Sequence, residues 1–221
     1  DQEDWAVLEE TAPLQRLVAV NKVDEPASWA RGSLALEEET AVVEVSARTG
    51  EGVDRLRTRM MAFYRAWLSV RRLEVPTIAA INGPAIGAGL CLALACDIRY
   101  AQQGARMGAP FVKLGMHPGM AGTHLLPQAV GLAAARDLLL TGRVVQDEEA
   151  VHLGLVSRVL PEVTFVDIVQ ETAEGIAGTA PIPSRLTKLA LQDGGHADFE
   201  AALQWRGLAR PVSSSTADPP R

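Results

Sequence analysis

Aromatic side chains are scarce in this chain, only 5% of 221 residues. Without rows of Tyr, Phe and Trp there is no platform on which unpaired bases could stack. Positive charge is also in short supply. Lys and Arg number 21 against 27 Asp and Glu, a net charge of -6. A phosphate backbone or an anionic bilayer gains nothing from such a chain, so neither nucleic acid nor membrane is an expected partner. Cysteine occurs twice, at Cys91 and Cys96, both in one apolar run. With no CxxC and no Cys/His spacing, no metal site is expected, and the pair reads as buried thiols of a cytoplasmic protein. No apolar run reaches the roughly 18 residues of a membrane span. No signal peptide is recognisable. The first residue is Asp1 rather than Met, which reads as a fragment or a processed product.

What is there is apolar and glycine-punctuated. Hydrophobic residues make up 48% of the chain and charged ones 22%, a composition that builds a sizeable core in one or two domains. The stretch that organises the rest is PTIAAINGPAIGAGLCLALACDIRYA, Pro76 to Ala101. It predicts a buried strand at Thr77–Ile81 and a turn holding Gly83, Pro84, Gly87 and Gly89. An apolar helix follows from about Ala88 to Cys96, then a second strand from about Asp97. Small residues in the turn let another group approach the backbone. The helix start aims free N–H groups into the same turn, where a carbonyl oxygen gaining charge would be stabilised. A plain strand-to-helix turn of an α/β domain fits the pattern as well.

Ahead of that stretch two further strands are predicted. Leu14–Val20 runs into Asn21-Lys22-Val23-Asp24, and Ala41–Val45 runs into SARTGEG. NKVD followed by SARTGEGVDRL resembles the two guanine-reading motifs near the end of a P-loop GTPase domain. The resemblance implies Asp24 on the guanine N1/N2 edge and Asn21 on the other edge. The Lys22 stem would stack on the base, with the Ser46–Ala47 backbone at O6. No G-x-x-x-x-G-K-[ST] occurs to cradle phosphates and no Asp-x-x-Gly to hold magnesium. Over residues 14–60 the expectation is therefore a remnant, at most a weak guanine-nucleotide-binding module. Val53 to Val70 follows as an amphipathic helix, with Val53, Leu56, Met60, Phe63, Trp67 and Val70 on one stripe. Packing on a sheet face is the expected use of that stripe, since it spans too few heptads for a coiled coil.

From about Phe63 onward a longer resemblance begins. AFYRAWLSVRRLEVPTIAAINGPAIGAGLCLALACDIRYA, then MGAPFVKLGMHPGMAGTHLLPQAVG, then LLLTGRVVQDEEAVHLGLVSRVLPE is similar to the crotonase superfamily of enoyl-CoA hydratases and isomerases. It implies an α/β fold: a crotonase-like ββα spiral core, incomplete at its N-terminus, behind a short GTPase-like βαβα piece. The implied division is 1–60, 61–211 and a disordered tail at 212–221. It also implies an acyl-CoA thioester as partner, no cofactor beyond the coenzyme A of the substrate, and homotrimers or hexamers.

By motif, the family's oxyanion N–H falls on Ala88. Ile86, Gly87, Gly89, Pro110, Leu114, Gly115, Pro118 and Gly119 fall on the substrate-binding turns. The family's other oxyanion donor belongs to an F-x-A-G-x-D segment, which has no counterpart here. The hydratases' two glutamates fall on Cys91 and Phe111, and the carboxylate of many isomerases falls on Gly119. None of these is a carboxylate, and an apolar helix raises a thiol's pKa. His117 and His124 flank the same loop and read as loop or capping residues. Phe111, Leu114 and Met120 line the acyl pocket, or simply pack. Asp97 reads as a structural residue bonded to nearby backbone.

The rest reads as scaffold. Helices are predicted at Leu132–Thr141, from Asp147, and through Val166, Val169, Ala173 and Ile176, with a strand in LGLVSRVLP. Pro181 and Pro183 are expected to break the chain before a short basic helix in SRLTKLAL, and Phe199 to Leu208 forms a last amphipathic helix. Three functions follow: an acyl-CoA enzyme, a non-catalytic acyl-CoA-binding or interaction protein, or a guanine-nucleotide module.

Overall fold

The computed structural model describes residues 17–20, 41–44 and 48–194. The chain forms two units, Asp1–Ala66 and Trp67–Arg221. Asn21, Lys22, Asp24, Ser46, Ala47, the Phe199–Leu208 segment and the tail lie outside the described residues.

In the first unit the two β-branched runs become strands β1 (Leu17–Val20) and β2 (Ala41–Glu44). They pair in parallel with Leu17 opposite Ala41. Helix α1 (Val53–Trp67) starts at the left-handed Gly52, whose carbonyl accepts the Leu56 N–H at 3.0 Å. It stops short of Val70, because residues Leu68–Arg72 tighten into a 3-10 turn and Leu73 leaves in an extended conformation. None of its residues is buried. Among the described residues the expected packing of its stripe on a sheet face is not seen.

The second unit carries two sheets. The first is all parallel, in the order β3 (Ile78–Ile81), β5 (Ile98–Gln102), β8 (Arg158–Leu160). The second orders β4 (Ala85–Ile86), β6 (Met107–Gly108) and β7 (Val144–Val145), with β6–β7 antiparallel. Between β4 and β5 lies helix α2 (Ala88–Leu94). The strand–turn–helix–strand reading of Pro76–Ala101 thus holds. Its turn also contains β4, which two residues could not announce by alternation. Gly108 lets β7 come close: a Cβ there would stand 3.1 Å from the Arg143 carbonyl oxygen.

Helix α3 (Gly122–Thr141) begins ten residues before the expected start at Leu132. Gly131, at φ 75° and ψ 163°, breaks it where the prediction began. Helix α4 (Asp147–His152) opens on its three acids, as the helix dipole favours. Helix α5 (Glu162–Ala177) buries Phe165 against Tyr100 and Leu160. Helix α6 (Pro181–Gly194) corrects an expectation, because Pro181 and Pro183 do not break the chain but start the helix. In the first turn the missing N–H groups have no helical partner to lose. Leu90, Met107, Leu126, Leu138 and Leu155 are fully buried in one core. Each contributes about 1.5–3 kcal/mol relative to exposure. Among the described residues no helix is long and apolar enough to cross a membrane.

One polar cluster ties the ends of this unit together. The Asp97 carboxylate accepts the Thr77 N–H at 2.7 Å and the Thr77 hydroxyl at 2.8 Å, and that hydroxyl accepts the Asp97 N–H at 3.1 Å. Lys188 of α6, only 5% exposed, donates to the same carboxylate and to the Val75 carbonyl, both at 2.8 Å. Gln192 adds a bond to the Arg71 carbonyl at 3.3 Å. Burial by itself would raise the Asp97 carboxyl. The hydrogen bonds from Lys188 and Thr77 outweigh it and hold the group below its ordinary value. A carboxylate lowered on folding contributes stability above its unfolded pKa of about 3.9, and that contribution is lost as pH falls through the folded value. We expect Asp97→Ala, which strands the Lys188 ammonium, to lower the unfolding free energy by about 3 kcal/mol at neutral pH. In urea titrations the variant should also lose the part of the acid dependence that lies below about pH 4.

Candidate functional site

Strand β4 ends at Ile86, and Gly87 then adopts φ 58° and ψ -113°, a conformation that side chains oppose. Two backbone bonds hold the turn against β6. Ala85 N–H donates to the Arg106 carbonyl and Gly87 N–H to the Gly108 carbonyl, each at 2.8 Å. The first bond inside α2 runs from Cys91 N–H to the Gly87 carbonyl at 3.1 Å. The N–H groups of Ala88, Gly89 and Leu90 therefore precede the helical ladder. Ala88 is half-buried and Gly89 exposed, and a Cβ on Gly89 would meet nothing within 4 Å.

Across from Gly87 stands Phe111. A Cβ on Gly87 would lie 3.6 Å from its ring. Phe111 rides on a 3-10 turn, Pro110–Leu114, and packs half-buried against the core. Gly115 ends that turn at φ 68°, and the Met116 N–H donates back to the Phe111 carbonyl at 3.0 Å. The chain then returns through Met120 (φ 49°) and Ala121 (φ 57°), two left-handed residues that are not glycine. Such residues store strain that the surroundings must hold. Here they bring Gly119 and Gly122 up to α2. The Cys91 thiol lies 3.8 Å from the Gly119 carbonyl oxygen, and a Cβ on Gly122 would stand 3.3 Å from the sulfur.

Positions far apart in sequence thus converge: Gly87 and Cys91 on one side, Phe111 and Gly119 on the other. Cys91 is 1% exposed, and burial pushes its thiol up to about 11. A weak backbone bond opposes the shift without cancelling it. The thiol is neutral at physiological pH and is no base. Met120 is buried, while Leu114 is 67% exposed and Ile86 stands at the surface as well. His117 is exposed, and His124 sits in the first turn of α3, 3.2 Å from the Gln128 side chain one turn on. The backbone partner expected for Asp97 is Thr77, but its ion-pair partner Lys188 was invisible in sequence, since 91 residues separate the two. The Met120–Ala121 strain gave no local signal either, beyond glycines on both sides.

Residues 45–206 match the family described as "Enoyl-CoA hydratase/isomerase". The chain belongs to that family. Its second unit carries the crotonase-like α/β fold. Among curated relatives, it is 38% identical over 146 residues to the short-chain-enoyl-CoA hydratase of Clostridium acetobutylicum, covering 66% of this chain and 56% of that one. It is 44% identical over 145 residues to a probable enoyl-CoA hydratase of Mycobacterium tuberculosis, covering 65% and 51%. The chain spans about half the length of the curated relatives it matches. An enoyl-CoA hydratase structure from Bacillus anthracis superposes with TM-score 0.71 at 30% identity, over 98% of this chain and 81% of that one. A putative enoyl-CoA hydratase from Thermobifida fusca, solved in complex with acetoacetyl-CoA, gives TM-score 0.70 at 26% identity over 79% and 77%. These comparisons lend no support to the guanine-nucleotide resemblance, and the matched span takes in Ser46 and Ala47 of its second motif.

The turn generates a paired expectation. Gly87→Ala should destabilise the fold by about 1–3 kcal/mol, since the added methyl meets Phe111 only at ordinary contact distance and the cost is backbone strain. Gly89→Ala should be neutral or stabilising by up to about 1 kcal/mol, because it sits in a helix with free space. Thermal unfolding of the two variants measures the contrast.

Proposed function

We propose that the second unit binds an acyl-CoA thioester, with the thioester carbonyl oxygen accepting the Ala88 N–H. It is an enoyl-CoA hydratase/isomerase-like site that lacks the carboxylates by which such sites move protons. The observation that carries this is the turn itself: Gly87 at φ 58°, the Ala88 N–H ahead of the helical ladder, and the Phe111 ring beside Gly87. A carbonyl placed there is polarised by a fixed donor in a largely apolar surround. Kinship supports the ligand class, since a neighbouring fold was solved holding acetoacetyl-CoA and another holding CoA. Coenzyme A enters as part of the ligand, and assembly into homotrimers or hexamers goes with the same kinship.

The second reading is a working hydratase or isomerase, favoured by the names of the relatives. Cys91 and Phe111 argue against it. A general base must accept a proton near neutral pH, and a buried neutral thiol and a phenyl ring do not.

The test is direct. Calorimetry with crotonyl-CoA should give binding, while loss of the enoyl-thioester absorbance, which reports hydration, should not occur. Ala88→Pro removes the donor at the first helical position, where proline is tolerated, and should weaken binding by about tenfold. Hydration that disappears in Ala88→Pro would establish the enzyme instead, and absence of binding to any CoA ester would sink both readings. Binding should also be flat from about pH 6 to 9, because Cys91 gains charge only near pH 11. Calorimetry across that range checks it.

A further inference from the structure

We propose that a cavity at the far end of α2 binds a monocarboxylate with an apolar chain, of the free fatty acid class, its head group held by Arg71 and Arg99. This is a second site, away from the Ala88 turn and independent of the acyl-CoA reading.

The cavity holds about 750 Å³ and lies wholly within the second unit. Small-molecule sites span roughly 300–1,000 Å³. Ala88 begins α2, and Ala95, which lines the cavity, caps the other end. The helical rise separates the two by roughly 10 Å. Leu94, Leu125, Ile176 and Leu191 bring apolar wall from α2, α3, α5 and α6. A hydrocarbon chain entering there leaves water for apolar contact.

Among the described residues, the charged side chains along this cavity are those of Arg71, Asp97, Arg99 and Lys188. Asp97 and Lys188 are engaged with each other at 2.8 Å. Arg71 and Arg99 have no carboxylate partner among the described residues. Arg99 is half-buried, with Nε donating to the Leu155 carbonyl at 2.8 Å and Nη1 to the Cys96 carbonyl at 3.1 Å. A guanidinium carries five N–H donors, so about three remain. Burial pulls the Arg99 pKa down, and the Asp97 charge opposes that only from a distance. The group stays charged.

Both arginines belong to one end of the cavity. The Gln192 amide nitrogen donates to the Arg71 carbonyl at 3.3 Å and to the Asp97 carboxylate at 3.4 Å. Arg99 comes two residues after Asp97, within reach of its field. An apolar cavity with surplus positive charge at one end suits an amphiphile of opposite charge. A carboxylate matches the guanidinium fork through paired N–H···O bonds, which a hydroxyl cannot do.

Calorimetry on the full chain tests this with decanoate, decanol and decyltrimethylammonium. Decanoate should bind about tenfold tighter than decanol, and decyltrimethylammonium weakest of all. Arg71→Met leaves the backbone carbonyl that Gln192 uses, so it should weaken decanoate by about tenfold and leave decanol unchanged. Arg99→Met should act in the same sense. If its lost bonds to Leu155 and Cys96 prevent folding, Arg71→Met and the probe series still decide. Saturating crotonyl-CoA should leave decanoate affinity unchanged. Equal affinity for the three probes, unchanged decanoate affinity in Arg71→Met, or no decanoate binding overturns the inference. Displacement of decanoate by crotonyl-CoA overturns it too, by making the cavity part of the thioester site. Decanoate binding without any binding of crotonyl-CoA supports this inference and removes the acyl-CoA reading alone.

Discussion

The Gly87 N–H bonds the Gly108 carbonyl at 2.8 Å, and much of the second unit follows from that bond. It closes the pairing of β4 on β6 and fixes where α2 begins. Gly87 makes it at φ 58°, a conformation open to glycine, and the Ala88 N–H that follows precedes the helical ladder. A few residues past Gly108 the chain carries Phe111, so the same pairing that fixes Gly87 also brings the Phe111 ring up to it.

Around that bond the nearest side chains are neutral. Cys91 stands one turn into α2, buried, with its thiol held neutral by desolvation. Phe111 is half-buried against the core. A carboxylate in either place would have to be desolvated beside Leu90 and Met107, and that cost would need offsetting by a substrate or a partner charge.

Scaffold and site were legible to different depths. The β-branched runs at Leu17–Val20 and Ala41–Glu44, the strand at Ile78–Ile81 and the acids opening α4 all declared themselves through local pattern. Gly131 misled the reading of α3, because a glycine inside an apolar helix looks like a start or a break equally well. Pro181 and Pro183 misled it in the opposite sense, since the same ring that stops a helix interior suits a helix start. The α1 stripe had the right period, but period does not say how deeply a helix is buried. The left-handed Met120 and Ala121 left no mark in the pattern beyond the glycines on either side.

The sequence by itself determined the covalent inventory of the turn: a glycine able to turn backward, an amide behind it, a thiol and a phenyl ring. Those are properties of side chains and of local backbone freedom, and they do not depend on what packs nearby. Only the tertiary structure decided the rest. It spends the Gly87 N–H on Gly108, brings Gly119 to the Cys91 sulfur, pushes that thiol to about 11 and buries Lys188 against Asp97. Each of these is a matter of distance and desolvation between residues remote in the chain. Electrostatic and hydrogen-bond energies depend on that separation and on the water excluded from it, and neither is written in the order of the residues.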